Sequence, residues 1–132
     1  MSLKLTLKPH EKVIIGGAVI KNGVSTCHLI VENKVPILRH VDIITEHDAT
    51  TPCRRIYLAI QLMYIDEKRS AEIHPIYWEL VRELLEAVPS MKDLISQISQ
   101  FMLAERYYQA LKLTKKLMAY EEELLHNESK SI

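Results

Sequence analysis

Leu3-Lys4-Leu5-Thr6-Leu7-Lys8 alternates strictly between apolar and polar, so three leucines share one face while Lys4, Thr6 and Lys8 share the other. That period of two predicts a half-buried strand. Pro9-His10-Glu11 turns the chain, and a second strand begins at Lys12-Val13-Ile14-Ile15. Gly16-Gly17 predicts a bulge or a close backbone approach, after which Ala18-Val19-Ile20 continues that strand. Lys21-Asn22-Gly23 is a hairpin signal, because Asn-Gly supplies the positive φ values of a type I′ turn; the return strand spans Thr26–Val31. Glu32-Asn33-Lys34 turns again, Val35–Arg39 forms a further strand, and Val41–Thr45 is a strand end or a short helix. Residues 1–50 thus read as a small antiparallel β unit.

From residue 51 the period changes. Thr51 suits an N-cap and Pro52 the first helical position, where a missing N–H does no harm, and a helix follows from Pro52 to Ile65. Asp66-Glu67-Lys68-Arg69 is a charged loop, and a second helix over Pro75–Val88 puts Ile76, Leu80, Leu84 and Val88 on one face. Pro89-Ser90 stops it. The helical pattern then runs from Met91 to Leu125 with a break near Leu103; Leu103, Tyr107, Ala110, Leu117 and Leu124 form one stripe, flanked by Ala104, Tyr108, Leu111, Met118 and Leu125. The fold class is α+β: an N-terminal antiparallel β unit, a C-terminal helical half of three to four helices over 51–125, and a loose polar tail over 126–132.

Composition narrows the function classes. Formal net charge is zero, which argues against a general polyanion binder. Charge is uneven, however: residues 1–65 hold eight Lys/Arg against five Asp/Glu, and residues 66–132 nine against twelve. Cys27 and Cys53 have no C-x-x-C spacing, so they read as small buried hydrophobes in a reducing compartment. No apolar run approaches the ~20 residues that span a bilayer, and the N-terminus lacks the apolar core of a secretory signal. The expected location is the cytoplasm, with no membrane partner.

Motifs for nucleotide binding, zinc hydrolysis and nucleophilic catalysis are absent, and the six histidines show no ligand spacing. The chain therefore reads as a non-enzyme without catalytic residues, metal or cofactor. Glu121-Glu122-Glu123 reads as the solvated end of a helix. Arg54 and Arg55 break a local rule, because cations in a first turn oppose the helix dipole by up to roughly 1 kcal/mol each. Two explanations stand: ion pairs with Asp42, Glu46 or Asp48, or an external phosphate held by free N–H groups and two guanidinium forks. With them, Arg39, Lys8, Lys12 and Lys21 supply a candidate basic surface. Lysines guarding an edge strand would give the same pattern.

L-K-L-T-L-K-P-x-E-K at the start, I-x-G-A-V-I-x-N-G, the strand around Pro36–Arg39, T-T-P-x-R-R-I-Y with the following M-Y-I-D, and the late Y-Y-x-A-L-x-L-T-x-K-L together resemble the FlbT family of post-transcriptional regulators of flagellin synthesis, from Leu3 to Tyr120. The resemblance implies binding to the 5′ untranslated region of flagellin mRNA, control of its translation and lifetime, and a partner of the FlaF type. It places Arg54, Arg55 and Tyr57 in one motif as candidate RNA contacts. His10 stands where the family usually has Gly, and Gly16 where Asn is common. A shorter stretch, Leu5 to Gly16, resembles the start of the carbon storage regulator CsrA family, which would put RNA contacts on strand edges and favour a homo-oligomer. The alternative is an adaptor whose helical half binds flagellin or the FlaF-type partner, with only an indirect effect on mRNA.

Overall fold

The computed structural model describes residues 2–130, with side chains as far as Asn127. The chain divides into two compact units, one ending at Ile43 and the other beginning at Ile44.

In the first unit, strand β1 (Leu3–Leu7) pairs antiparallel with β4 (Cys27–Val31), and β2 (Lys12–Ile15) lies between β3 (Ala18–Lys21) and β5 (Ile37–Arg39). The alternation expected of β1 is present at Leu5 and Leu7, which are buried, and at Lys4, Thr6 and Lys8, which are exposed, while Leu3 at the strand start is half exposed. Leu5, Leu7 and Val13 form one core cluster, with Ile15, Cys27, Leu29, Val31 and Ile37 packed against it; Ile14 and Leu38 are also buried.

Two turn expectations require correction. Gly16 and Gly17, at φ +58° and +88°, form the two-residue turn of a β2–β3 hairpin, so residues 18–21 fold back on β2 instead of prolonging it. Two consecutive positive φ values are the type I′ requirement, and Gly meets it as readily as the family's Asn. Asn22-Gly23, by contrast, joins strands that do not pair with each other. The Asn22 amide donates to the carbonyls of Leu7, Lys8 and Ser25, while its oxygen accepts from Gly23 N–H. The side chain therefore ties the crossover to the β1–β2 turn, a role that a local turn rule does not capture.

His10 lies in that β1–β2 turn at φ 62°, a left-handed conformation that costs a residue with a Cβ about 1–2 kcal/mol. His10→Gly should raise stability by about 0.5–1 kcal/mol, the steric gain outweighing the added freedom of the unfolded chain. Denaturant midpoints measure it; a lowered midpoint would refute the strain.

The second unit is helical: α1 (Pro52–Ile65), α2 (Ser70–Ala87), α3 (Lys92–Leu103) and α4 (Tyr107–Lys130). Helix α1 has the bounds expected from sequence and packs on both α2 and α4, while α3 packs on α4. Helix α2 starts five residues before its expected start, enclosing Pro75 in its second turn. A one-turn 3-10 helix over Glu67–Arg69, capped by Asp66, leads into it. Its buried residues are Ile73, Tyr77, Val81 and Leu84; of the expected face Leu84 is buried and Ile76 is half exposed. Tyr77 is fully buried because Ser99 Oγ lies 3.0 Å from its hydroxyl, and burial raises its phenol pKa to about 12.

The break between α3 and α4 falls where expected. Glu105 takes φ 57°, with its N–H bonded to Met102 and that of Arg106 to Phe101, which is a Schellman stop. Of the expected stripe Tyr107, Ala110 and Leu117 are buried while Leu103 and Leu124 are exposed; Leu111, Thr114 and Glu121 complete the buried face. Helix α4 also continues to Lys130 through most of the expected loose tail, whose residues 131 and 132 lie outside the described residues. Among the described residues no helix is long and apolar enough to cross a membrane.

Candidate nucleic-acid interface

The first turn of α1 meets an anion, from an element that its own sequence neighbourhood does not reveal. Glu121 of α4 is 8% exposed, and its Oε2 accepts the Cys53 N–H at 3.1 Å. Thr51 Oγ1 accepts the Arg54 N–H at 3.3 Å, and Pro52 has no N–H to satisfy. The helix start is therefore closed to an external phosphate through its backbone, which corrects half of the anion-site expectation. It also corrects the reading of Glu121 as solvated.

The guanidinium groups remain available. Among the described residues, no carboxylate lies within 4 Å of Arg54 or Arg55, so the expected local ion pairs are absent. Arg54 donates to Thr50 Oγ1 at 3.3 Å. Asp48 is held below its usual pKa chiefly by the backbone N–H of Thr45, with a hydroxyl bond from the same residue, while the charges of His47 and Arg54 add less. Arg55 is exposed. Tyr57, in the same motif, is 1% exposed and belongs to the core, so it offers no ring to a base.

Removing the Glu121 carboxylate should be costly. Glu121→Leu leaves the buried Cys53 N–H unpaired and removes a charge that favours the positive helix end, a loss of about 1–3 kcal/mol. Glu121→Gln retains an acceptor and should lose about 1 kcal/mol or less. Equal losses in denaturant titrations would contradict the cap.

In the first unit, Lys12 and Lys21 stand directly opposite each other across β2 and β3, both exposed and without an ion pair within 4 Å among the described residues. Like charges facing across a ladder are unfavourable. Glu11, next to Lys12, is committed elsewhere: it accepts the Lys8 N–H at 2.8 Å, which chiefly lowers its pKa, and lies 3.6 Å from Arg39. Arg39 also donates to the Thr6 carbonyl at 2.7 Å, so this candidate is engaged in tying the end of β5 to β1 of the other sheet. Lys8 is exposed at the β1–β2 turn. Residues 1–43 carry six Lys/Arg against three Asp/Glu, so the basic bias lies within this unit.

The helical unit has a groove of about 720 Å³ between the start of α1 and the C-terminal halves of α2 and α4. Leu80, Leu84, Val88, Met91, Leu124 and Leu125 supply its aliphatic lining, with Arg55 also on the wall. Sequence reasoning missed it because no single helix contains it. Cys53 lies beneath, fully buried; burial, reinforced by Glu121, raises its thiol pKa far above the ordinary range and keeps it an inert thiol. Among the described residues no group of three or more His, Cys, Asp or Glu is arranged to hold a metal ion.

The sequence matches the family model described as flagellar protein FlbT over residues 3–125. A Bradyrhizobium diazoefficiens protein named probable flagellum biosynthesis repressor protein FlbT 1 is 45% identical over 125 residues, covering 94% of this chain and 85% of that protein. A Rhodopseudomonas palustris protein named probable flagellum biosynthesis repressor protein FlbT is 39% identical, covering 95% and 98%. The Caulobacter vibrioides flagellum biosynthesis repressor protein FlbT is 37% identical over 135 residues, covering 100% of this chain and 95% of its own. No solved structure matches the chain.

Proposed function

The chain belongs to the FlbT family of flagellum-synthesis regulators, and on that premise we propose that it binds the 5′ untranslated region of flagellin mRNA and controls its translation and lifetime. The observation that carries this reading is the Lys12–Lys21 pair, two like charges face to face with no internal partner. The ladder itself is not stabilised by that juxtaposition, whereas a polyphosphate backbone between the two ammonium groups converts repulsion into attraction. In the helical unit Arg54 and Arg55 likewise have no carboxylate within 4 Å among the described residues. Contacts of this kind give affinity and register, while unpaired bases in a leader provide the sequence.

The test is a titration of the purified chain alone against a labelled flagellin leader RNA. Direct recognition predicts saturable binding that weakens steeply with salt. Binding only after addition of a second protein would overturn it.

One observation favours a second reading, in which the chain docks flagellin or a FlaF-type regulator. The aliphatic groove has the size of a ligand site, and Arg55, Glu83 and Glu121 on its wall give polar partners to groups flanking the apolar face of an amphipathic helix. Binding of purified flagellin or the FlaF-type regulator to the wild-type chain, abolished by Leu125→Asp at the exposed rim of the groove in folded protein, would support docking. No binding of either purified partner to the wild-type chain would reject it.

A further inference from the structure

Tyr107 and Tyr108 are adjacent on α4 yet have opposite fates. Tyr107 is 8% exposed, with its hydroxyl 3.1 Å from His74 Nε2, so it belongs to the interior. Tyr108 is 37% exposed. Its ring lies beside Tyr64 of α1, with centroids 5.8 Å apart and planes inclined by 39°. Lys112, one turn along α4, holds its Nζ 5.2 Å from the Tyr108 ring centre. Lys115 and Lys116 follow at helical spacings of seven and eight residues from Tyr108, and both are exposed. An aromatic pair, one ring accessible, thus opens a basic flank of one helix.

We propose that Tyr108 is a stacking platform for an unpaired base of bound RNA, with Lys112 and Lys116 contacting the flanking phosphates. This rests on the RNA-binding reading and adds to it a place where a base, as well as the backbone, is held. Three features support it. Tyr64 buttresses Tyr108 from the side and fixes its orientation, which reduces the ordering cost of stacking. Lys112 lies against an exposed ring, an arrangement worth only about 0.5–1 kcal/mol, so a base can displace it. The displaced ammonium stays within a turn of the ring, where the phosphate of a stacked nucleotide would lie. Stacking on an aromatic side chain tolerates any base, so the platform supplies affinity for single strands over duplex.

The experiment uses the full chain and a single-stranded flagellin leader segment carrying 2-aminopurine at successive positions, since stacking on tyrosine quenches that base. Wild type should quench at one or two positions. Tyr108→Ala should lose that quench and bind about tenfold more weakly, in the range expected for one stacked base, whereas Tyr108→Trp should keep both. Tyr108→Leu preserves apolar packing against Tyr64 without a π face and should behave as the Ala variant, which controls for folding. Wild-type affinity and quench in folded Tyr108→Leu would overturn the platform while leaving RNA binding intact. Absence of RNA binding by wild type would overturn the RNA reading and the platform with it.

Discussion

Tyr57→Ala should destabilise the protein by about 3–5 kcal/mol, a large fraction of the roughly 5–15 kcal/mol that holds a domain of this size together. The ring is 1% exposed and lies in α1 among Cys53, Ile56 and Ile60, the face that the helix turns to its neighbours. Truncation leaves a ring-sized void in packing too dense to collapse around it. Any loss of RNA binding should then track the unfolded fraction and vanish when the variant is measured well below its midpoint. Denaturant titration beside RNA titration at low temperature separates the two effects. A stable Tyr57→Ala protein that binds RNA poorly would mean that the ring is a contact after all.

The double variant Lys12→Ala/Lys21→Ala should act the other way, on binding and not on folding. Removing two facing like charges from an exposed hairpin should leave stability unchanged or raise it by a few tenths of a kcal/mol. RNA affinity should fall by about an order of magnitude at moderate salt. The slope of log affinity against log salt should lose about 0.7 for each phosphate contact removed, or about 1.4 for the pair. Lower stability with unchanged affinity would identify the lysines as part of the sheet's own architecture.

Which features were legible in the sequence follows from the range of the interactions behind them. The bounds of α1 were legible because Thr51, Pro52 and an uninterrupted apolar arc are all local. So was the break before α4, where the left-handed Glu105 ends one helix. Gly16-Gly17 and Asn22-Gly23 carried similar turn chemistry, and only strand pairing decides that the first makes the hairpin while Asn22 becomes a hydrogen-bond hub. The anion expected near Arg54 and Arg55 was half legible. Charge of the wrong sign marked the helix start as unusual, but Glu121 arrives from 68 residues away and satisfies the backbone instead of the guanidinium groups. Tyr57 is a candidate only through the motif that the family resemblance supplies, whereas its place on the buried face of α1 assigns it to the core. The pairing of Lys12 with Lys21 depends on the register of a hairpin that the sequence-based strand layout did not contain.

The most direct test of recognition through unpaired cations is the salt dependence of leader-RNA affinity for the purified wild-type chain and for a folded variant carrying Lys12→Ala, Lys21→Ala, Arg54→Ala and Arg55→Ala. Direct recognition predicts a steep wild-type slope that the variant flattens by about 2.8, four contacts at roughly 0.7 each. Superimposable slopes and affinities for the two proteins would contradict it.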